Sequence, residues 1–128
     1  MTRVALDSNI LAYLAGVSHS AEDDDKIDRA RGLLAQLSQT ASLIAPAQAL
    51  GELFVVLRRS GISPDHPRAI LLEFTEAFGT ASSQARTVLS AADLVVDHKL
   101  QFGDSLIVTA AAEAGCTLLL SEDMQNGF

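Results

Sequence analysis

The chain has 128 residues, 48% of them apolar and 20% charged, with a formal charge of −7. That length carries one domain with a single core, and no apolar run approaches the ~18 residues that a membrane helix needs. Nine basic against sixteen acidic residues argue against a basic, sequence-independent nucleic-acid surface, suit metal cations and basic partners, and leave only a local patch open to Arg58, Arg59, Arg68, Arg86 and Lys99.

"MTRVALDSN" reaches Asp7 before any long apolar stretch forms, so the N-terminus does not read as a secretory leader. "RVAL" at 3–6 predicts a first strand. "DSNILAYL" follows as a helix, with Ile10, Leu11 and Leu14 at helical spacing. The next segment opens with Asp23, Asp24 and Asp25, then places Ile27, Ala30, Leu34 and Leu37 on one face. Acidic residues in a first turn complement the helix dipole, so this run marks a helix start rather than a metal site. "SLIAP" at 42–46 predicts a second strand ended by Pro46, and a helix runs on from there to Gly61. "SPDHPRAILLEFTEAFG" predicts a helix with prolines near its start and Gly79 after its end. "GTASSQ" reads as a loop. "QARTVLSAADLVVDHKL" is helical by period, and "DSLIVTAAAEAG" is an alanine-rich helix closed by Gly115. "CTLLLSED" predicts a third strand leading into a polar turn. Its Cys116 is the single cysteine, read as a small buried hydrophobe. One cysteine permits no internal disulfide and points to a reducing, cytoplasmic compartment. Strands separated by helices imply parallel pairing. The expected fold is a three-layer α/β/α sandwich around a short parallel sheet, one domain over residues 1–128.

"ALGELFVVL" at 49–57 sets Glu52 inside an apolar run. A buried carboxylate needs a base, hydrogen-bond donors or a metal ion. Its helical neighbours Gln48, Ala49, Val55 and Val56 include no base, and Arg59 lies two turns away. The plain alternative is a solvated stripe of Gln48, Glu52 and Arg59. Other carboxylates fall in a pattern. Asp7 follows the first strand, Glu52 lies on the helix after the second, Asp104 begins the alanine-rich helix, and Glu122 and Asp123 follow the third strand. Ligands of open α/β sheets bind outside the carboxyl ends of the strands. Singly, Asp7 and Asp104 suit helix N-caps and Asp123 suits a turn. Together they describe clustered like charges, whose repulsion a hard divalent cation removes. Mg²⁺ and Mn²⁺ prefer such oxygen donors, and such a site suits hydrolysis of phosphodiesters. His19, His66 and His98 show no metal-ligand spacing.

"VALDSNILAYL", "IAPAQALGELFVVL", "LQFGDSLIVTAAAEAGC" and "LLLSEDMQNGF", in that order, resemble the PIN-domain ribonucleases, specifically the VapC-type toxins of bacterial toxin–antitoxin pairs. The resemblance implies a Mg²⁺- or Mn²⁺-dependent cleavage of RNA. By position it implies Asp7, Glu52, Asp104 and Asp123 as catalytic, metal-binding residues, with Asn9 and Ser121 supporting them. It further implies a homodimer and a cognate antitoxin whose tail fills the active site, drawn by a surface of charge −7. Three features depart from the family pattern. The chain stops at Phe128, where relatives commonly run on into one more strand. Gly103 stands where relatives often carry a large side chain, which predicts a looser helix start. Glu122 adjoins Asp123, and the spacing from Ser121 favours Asp123. Other classes fit less well. A phosphoacceptor domain wants a lysine after a late strand, and Lys99 precedes the third. A haloacid-dehalogenase-like phosphatase wants a second Asp where Asn9 stands. A catalytically silent binding module has no use for four filled acidic positions.

Overall fold

Val4, Ala5 and Leu6 are consecutive and all buried, the mark of a strand covered on both faces. They belong to β1 (Thr2–Leu6) in a computed structural model that describes residues 1–17, 21–59 and 63–121. The chain continues through α1 (Ser8–Leu14), α2 (Ala21–Leu37), β2 (Ala41–Pro46), α3 (Ala47–Arg58), α4 (Asp65–Ala77), β3 (Gly79–Ala81), α5 (Ala85–His98), α6 (Phe102–Glu113) and β4 (Leu118–Leu120). The strands form one parallel sheet in the order β3-β2-β1-β4, flanked by the helices. This is the expected α/β/α architecture with one strand more than the sequence predicted. The extra strand, β3, lies wholly in the segment read as a loop, and its Ala81 is buried opposite Pro46. Three residues are too few for a hydrophobic period to register, and Gly79 and Thr80 are exposed on the sheet edge.

The register sets the site. Leu6 pairs with Leu120, so β1 and β4 end side by side, and Ala5 pairs with Ile44 of β2. The residues that follow these strands therefore emerge along one edge. Leu11, Leu53, Ile107 and Leu119 fill the core between sheet and helices. Small side chains let α5 and α6 approach closely. Ser105, fully buried, donates to the Ala91 carbonyl at 2.7 Å across that contact.

Two helix starts are informative. α2 opens with Glu22, Asp23 and Asp24 in its first turn, as expected. α6 begins at Phe102, with Gln101 as its N-cap. The N-cap alternative for Asp104 is thereby corrected, because Phe102 and Gly103 enter the helix ahead of it. Gly103 itself lies within the first turn of the helix. Cys116 is buried just before β4, as expected, and burial pushes its thiol up despite the Arg3 charge. No helix among the described residues is long and apolar enough to cross a membrane.

Candidate active site

Asp7 is the hinge between β1 and α1. Its backbone amide donates to the Leu120 carbonyl at 3.0 Å, which extends the β1–β4 ladder by one step. Its side chain then caps α1, Oδ1 accepting from the Ser8 amide at 2.6 Å. The other oxygen, Oδ2, accepts from the Ser121 hydroxyl at 2.8 Å. Capping is thus part of what Asp7 does, but the residue is only 6% exposed and both its oxygens are held.

Glu52 comes in from the second turn of α3. The apolar residues around it hold the helix down, with Ala49 and Leu53 fully buried. The Ser8 hydroxyl donates to Glu52 Oε1 at 3.1 Å and lies 3.4 Å from Asp7 Oδ1. A hydroxyl has a single proton. It serves one of these carboxylates at a time, and the shorter contact is to Glu52. Gln48, one turn earlier, donates its amide to Glu52 Oε2 at 3.0 Å. Among the described residues no lysine, arginine or histidine pairs with Asp7 or Glu52. The stripe of Gln48, Glu52 and Arg59 is therefore only half present. Gln48 meets Glu52, and Arg59 does not.

The start of α6 closes on the same carboxylate. A Cβ placed on Gly103 would stand 3.0 Å from Glu52 Oε2 and 3.9 Å from Gln48 Nε2. The missing side chain is what lets this helix approach Glu52. Asp104 is the next residue, half-buried in the first turn of α6.

Of the residues singled out from the sequence, Asp7, Glu52 and Ser121 come together, and Asp104 adjoins them through Gly103. Asn9 lies half-buried in α1 and bonds neither carboxylate among the described residues. Asp123 and Glu122 lie outside the described residues. Among those described, no three of His, Cys, Asp or Glu are grouped to hold a metal ion. Ser8 was not read from the sequence, yet it links the two carboxylates. Its one signal is position, as the first helical residue after Asp7. Of the five basic residues considered for a patch, Arg68 meets Asp65 at 3.7 Å on the surface. Arg86 lines a separate cleft with Thr87 and Glu113.

The side-chain atoms of Asp7, Glu52, Ser8 and Ser121 here are all oxygens, and the two nitrogens present, the Ser8 and Gln48 amides, donate hydrogen bonds to the carboxylates. Two carboxylates share one hydroxyl and face no cation among the described residues. That set fits a hard divalent ion such as Mg²⁺ or Mn²⁺ and not a soft one.

A parallel sheet with an acidic carboxyl edge defines the class, and comparison names the family. A family model described as PIN domain matches residues 4–125. The chain belongs to the PIN domain family. Its fold is similar to that of VapC20 from Mycobacterium tuberculosis, described as a sarcin-ricin loop cleaving toxin (TM-score 0.73, 17% identity, 94% of this chain and 91% of that one). It is also similar to a chain of VapBC2 from Rickettsia felis, solved bound to a DNA fragment from its promoter (TM-score 0.69, 17% identity, 93% and 87%). A toxin–antitoxin complex from Klebsiella pneumoniae gives a TM-score of 0.65 at 16% identity, over 91% of this chain and 84% of that one. No curated protein matches the sequence closely enough to count as a relative.

Proposed function

We propose that this chain is a divalent-metal-dependent endoribonuclease, the toxin of a toxin–antitoxin pair. One observation carries the reading. Asp7 and Glu52, from two different elements at the carboxyl edge of the sheet, converge on a single hydroxyl with no cation to balance them among the described residues. The family membership and the toxin folds it resembles support the same reading. Asp7, Glu52, Asp104 and Asp123 are the proposed ligands of Mg²⁺ or Mn²⁺, with Ser121, and Asn9 by resemblance, in support. When bound, such an ion supplies a polarised water and charge neutralisation at the phosphate.

The chain's own residues set the geometry. Ser121 and the Ser8 amide fix the Asp7 carboxylate by its two oxygens. Gln48 and the Ser8 hydroxyl fix that of Glu52. Both are then oriented before substrate arrives, which is the condition for efficient positioning. A cognate antitoxin is the proposed inhibitor and a homodimer the proposed state, acting in the cytoplasm. The net charge of −7 favours a basic antitoxin segment over the acidic edge.

The test is cleavage of a mixed RNA pool by the purified chain with Mn²⁺ or Mg²⁺, with chelator, and beside Glu52→Gln. Cleavage that needs both the metal and Glu52 is expected. A folded chain that cuts RNA equally well in chelator, or with Gln at 52, refutes the proposed chemistry. A chain that binds no Mn²⁺ and cuts nothing leaves a silent binding module.

A further inference from the structure

An open groove of about 340 Å³ runs between α1 and α2. Ile10 and Tyr13, one turn apart on α1, line one wall. Lys26, Arg29 and Leu33 on α2, at i, i+3 and i+7, line the other. Ser121 lines it too, and Ser121 is the residue whose hydroxyl holds Asp7. The groove therefore meets the carboxylate site at Ser121. Its charge is unusual for this chain. α2 also carries five acids, Glu22, Asp23, Asp24, Asp25 and Asp28, and one more cation, Arg31, and the whole chain carries −7, yet the charged side chains lining the groove are both cations. Ile27, Ala30 and Leu34 anchor α2 with 5–9% exposure, which turns the neighbouring row of Lys26, Arg29 and Leu33 toward the groove. Leu33 is left 47% exposed there, an apolar surface in water.

The geometry points to a substrate subsite: the groove takes the nucleotide of a single-stranded RNA that flanks the scissile phosphate. Tyr13 and Leu33 face the base, and Lys26 and Arg29 face the backbone. This rests on the nuclease reading above. Unpaired bases offer a flat apolar face, and aromatic or apolar side chains beside cations are how proteins hold them. A duplex hides that face. An acidic peptide would use the two cations but has less use for the Tyr13 and Leu33 surface. Contact at Ser121 with a site built for phosphodiesters favours RNA further.

The test measures binding of a labelled, mixed-sequence, short single-stranded RNA to the Glu52→Gln chain by fluorescence anisotropy across a salt series. It also measures kcat and KM for metal-dependent cleavage in the otherwise wild-type chain. Lys26→Gln with Arg29→Gln is expected to weaken binding roughly tenfold and to reduce the salt slope by about 1.4, two contacts at about 0.7 each for single strands. Tyr13→Leu is expected to cost roughly tenfold, the scale of one lost stacking contact. Tyr13→Phe keeps the ring and should bind like the parent, which separates stacking from folding. In cleavage the groove variants should raise KM and leave kcat near that of wild type. If wild type cleaves RNA and the groove variants match it in KM, affinity and salt slope, the subsite is refuted and the nuclease stands. If the variants keep their RNA affinity but lose affinity for a labelled oligoglutamate peptide, the groove belongs to an acidic protein segment, and the RNA assignment is refuted. If the chain neither cleaves nor binds RNA, the nuclease reading and the subsite both fall.

Discussion

Replacing Gly103 with alanine sets helix stability against the geometry of Glu52. Gly103 is the second residue of α6 and sits in ordinary helical backbone. Alanine in a helix interior is favoured over glycine by about 0.5–1 kcal/mol. The new methyl would stand 3.0 Å from Glu52 Oε2, where an ordinary contact begins near 3.4 Å. The carboxylate must therefore retreat by about 0.4 Å. It has little slack, because Ser8 and Gln48 already hold it at 3.1 and 3.0 Å. If a 1 Å misplacement costs about 10²-fold in rate, a shift of about 0.4 Å costs roughly sixfold. The stability gain corresponds to about 2–4 °C in Tm for a chain of this size. The expected result is a Tm unchanged or slightly raised, with a metal-dependent cleavage rate several-fold lower. Initial rates at saturating Mn²⁺, beside a thermal melt, measure both. Full activity in Gly103→Ala would show that Glu52 need not lie where α6 meets it. A rate that falls only because the protein melts would refute the steric argument.

Asp7→Asn should keep the cap on α1, since Asn and Asp cap equally well, and so hold Tm within a few degrees while cleavage is lost. Asp7→Ala should lose cleavage and about 1 kcal/mol of stability as well, so a melt of both variants separates the two roles. Ser8→Ala removes the one proton between two carboxylates; its Tm should fall in chelator, and Mn²⁺ should restore more of it than in wild type. Thr87 is buried, accepts from the Gln84 amide at 3.0 Å and donates to Glu113 at 2.6 Å, so Thr87→Val should cost about 1–2 kcal/mol in urea unfolding and leave cleavage untouched. The Cys116 thiol is pushed up in the folded chain by burial, so its contribution is complete below the ordinary thiol value of 9.0 and is lost as pH rises through the folded value. The urea midpoint should therefore fall at alkaline pH, and less so in Cys116→Ala.

What could be read from the sequence was whatever depends on local pattern. The buried run at Val4–Leu6 and the apolar faces of α2 and α3 declare themselves in windows of a few residues. β3 did not, because its stability comes from pairing with Ile44, Ala45 and Pro46 rather than from its own three residues. The site divides along the same line. Asp7 was singled out because it follows the first strand, and Ser121 through the resemblance alone; β1 and β4 end in register, which brings the two side chains together. The cap reading of Asp104 failed because helix starts are set by the chain's path into the turn, and Phe102 and Gly103 take the first helical positions.

What joins the elements could not be read. Ser8 meets Glu52 only because α1 packs on α3 at one rotation about their axes, 44 residues apart in sequence. Lys26 and Arg29 share a groove with Tyr13 only because α2 lies along α1 with its Ile27–Ala30–Leu34 face inward. The same point bears on charge. A net charge of −7 argued against an RNA-binding surface, yet charge acts over about a Debye length, ~8–10 Å at ordinary salt, and not over the whole molecule. Lys26 and Arg29 line one groove with Ser121, whose hydroxyl holds Asp7 at the acidic edge. The acids at the start of α2 leave the groove itself lined by Lys26 and Arg29 as its charged side chains. Salt should therefore weaken RNA binding by this acidic protein, and the double substitution of Lys26 and Arg29 should remove most of that dependence. A salt slope that survives the substitution would place the cationic contacts elsewhere on the surface.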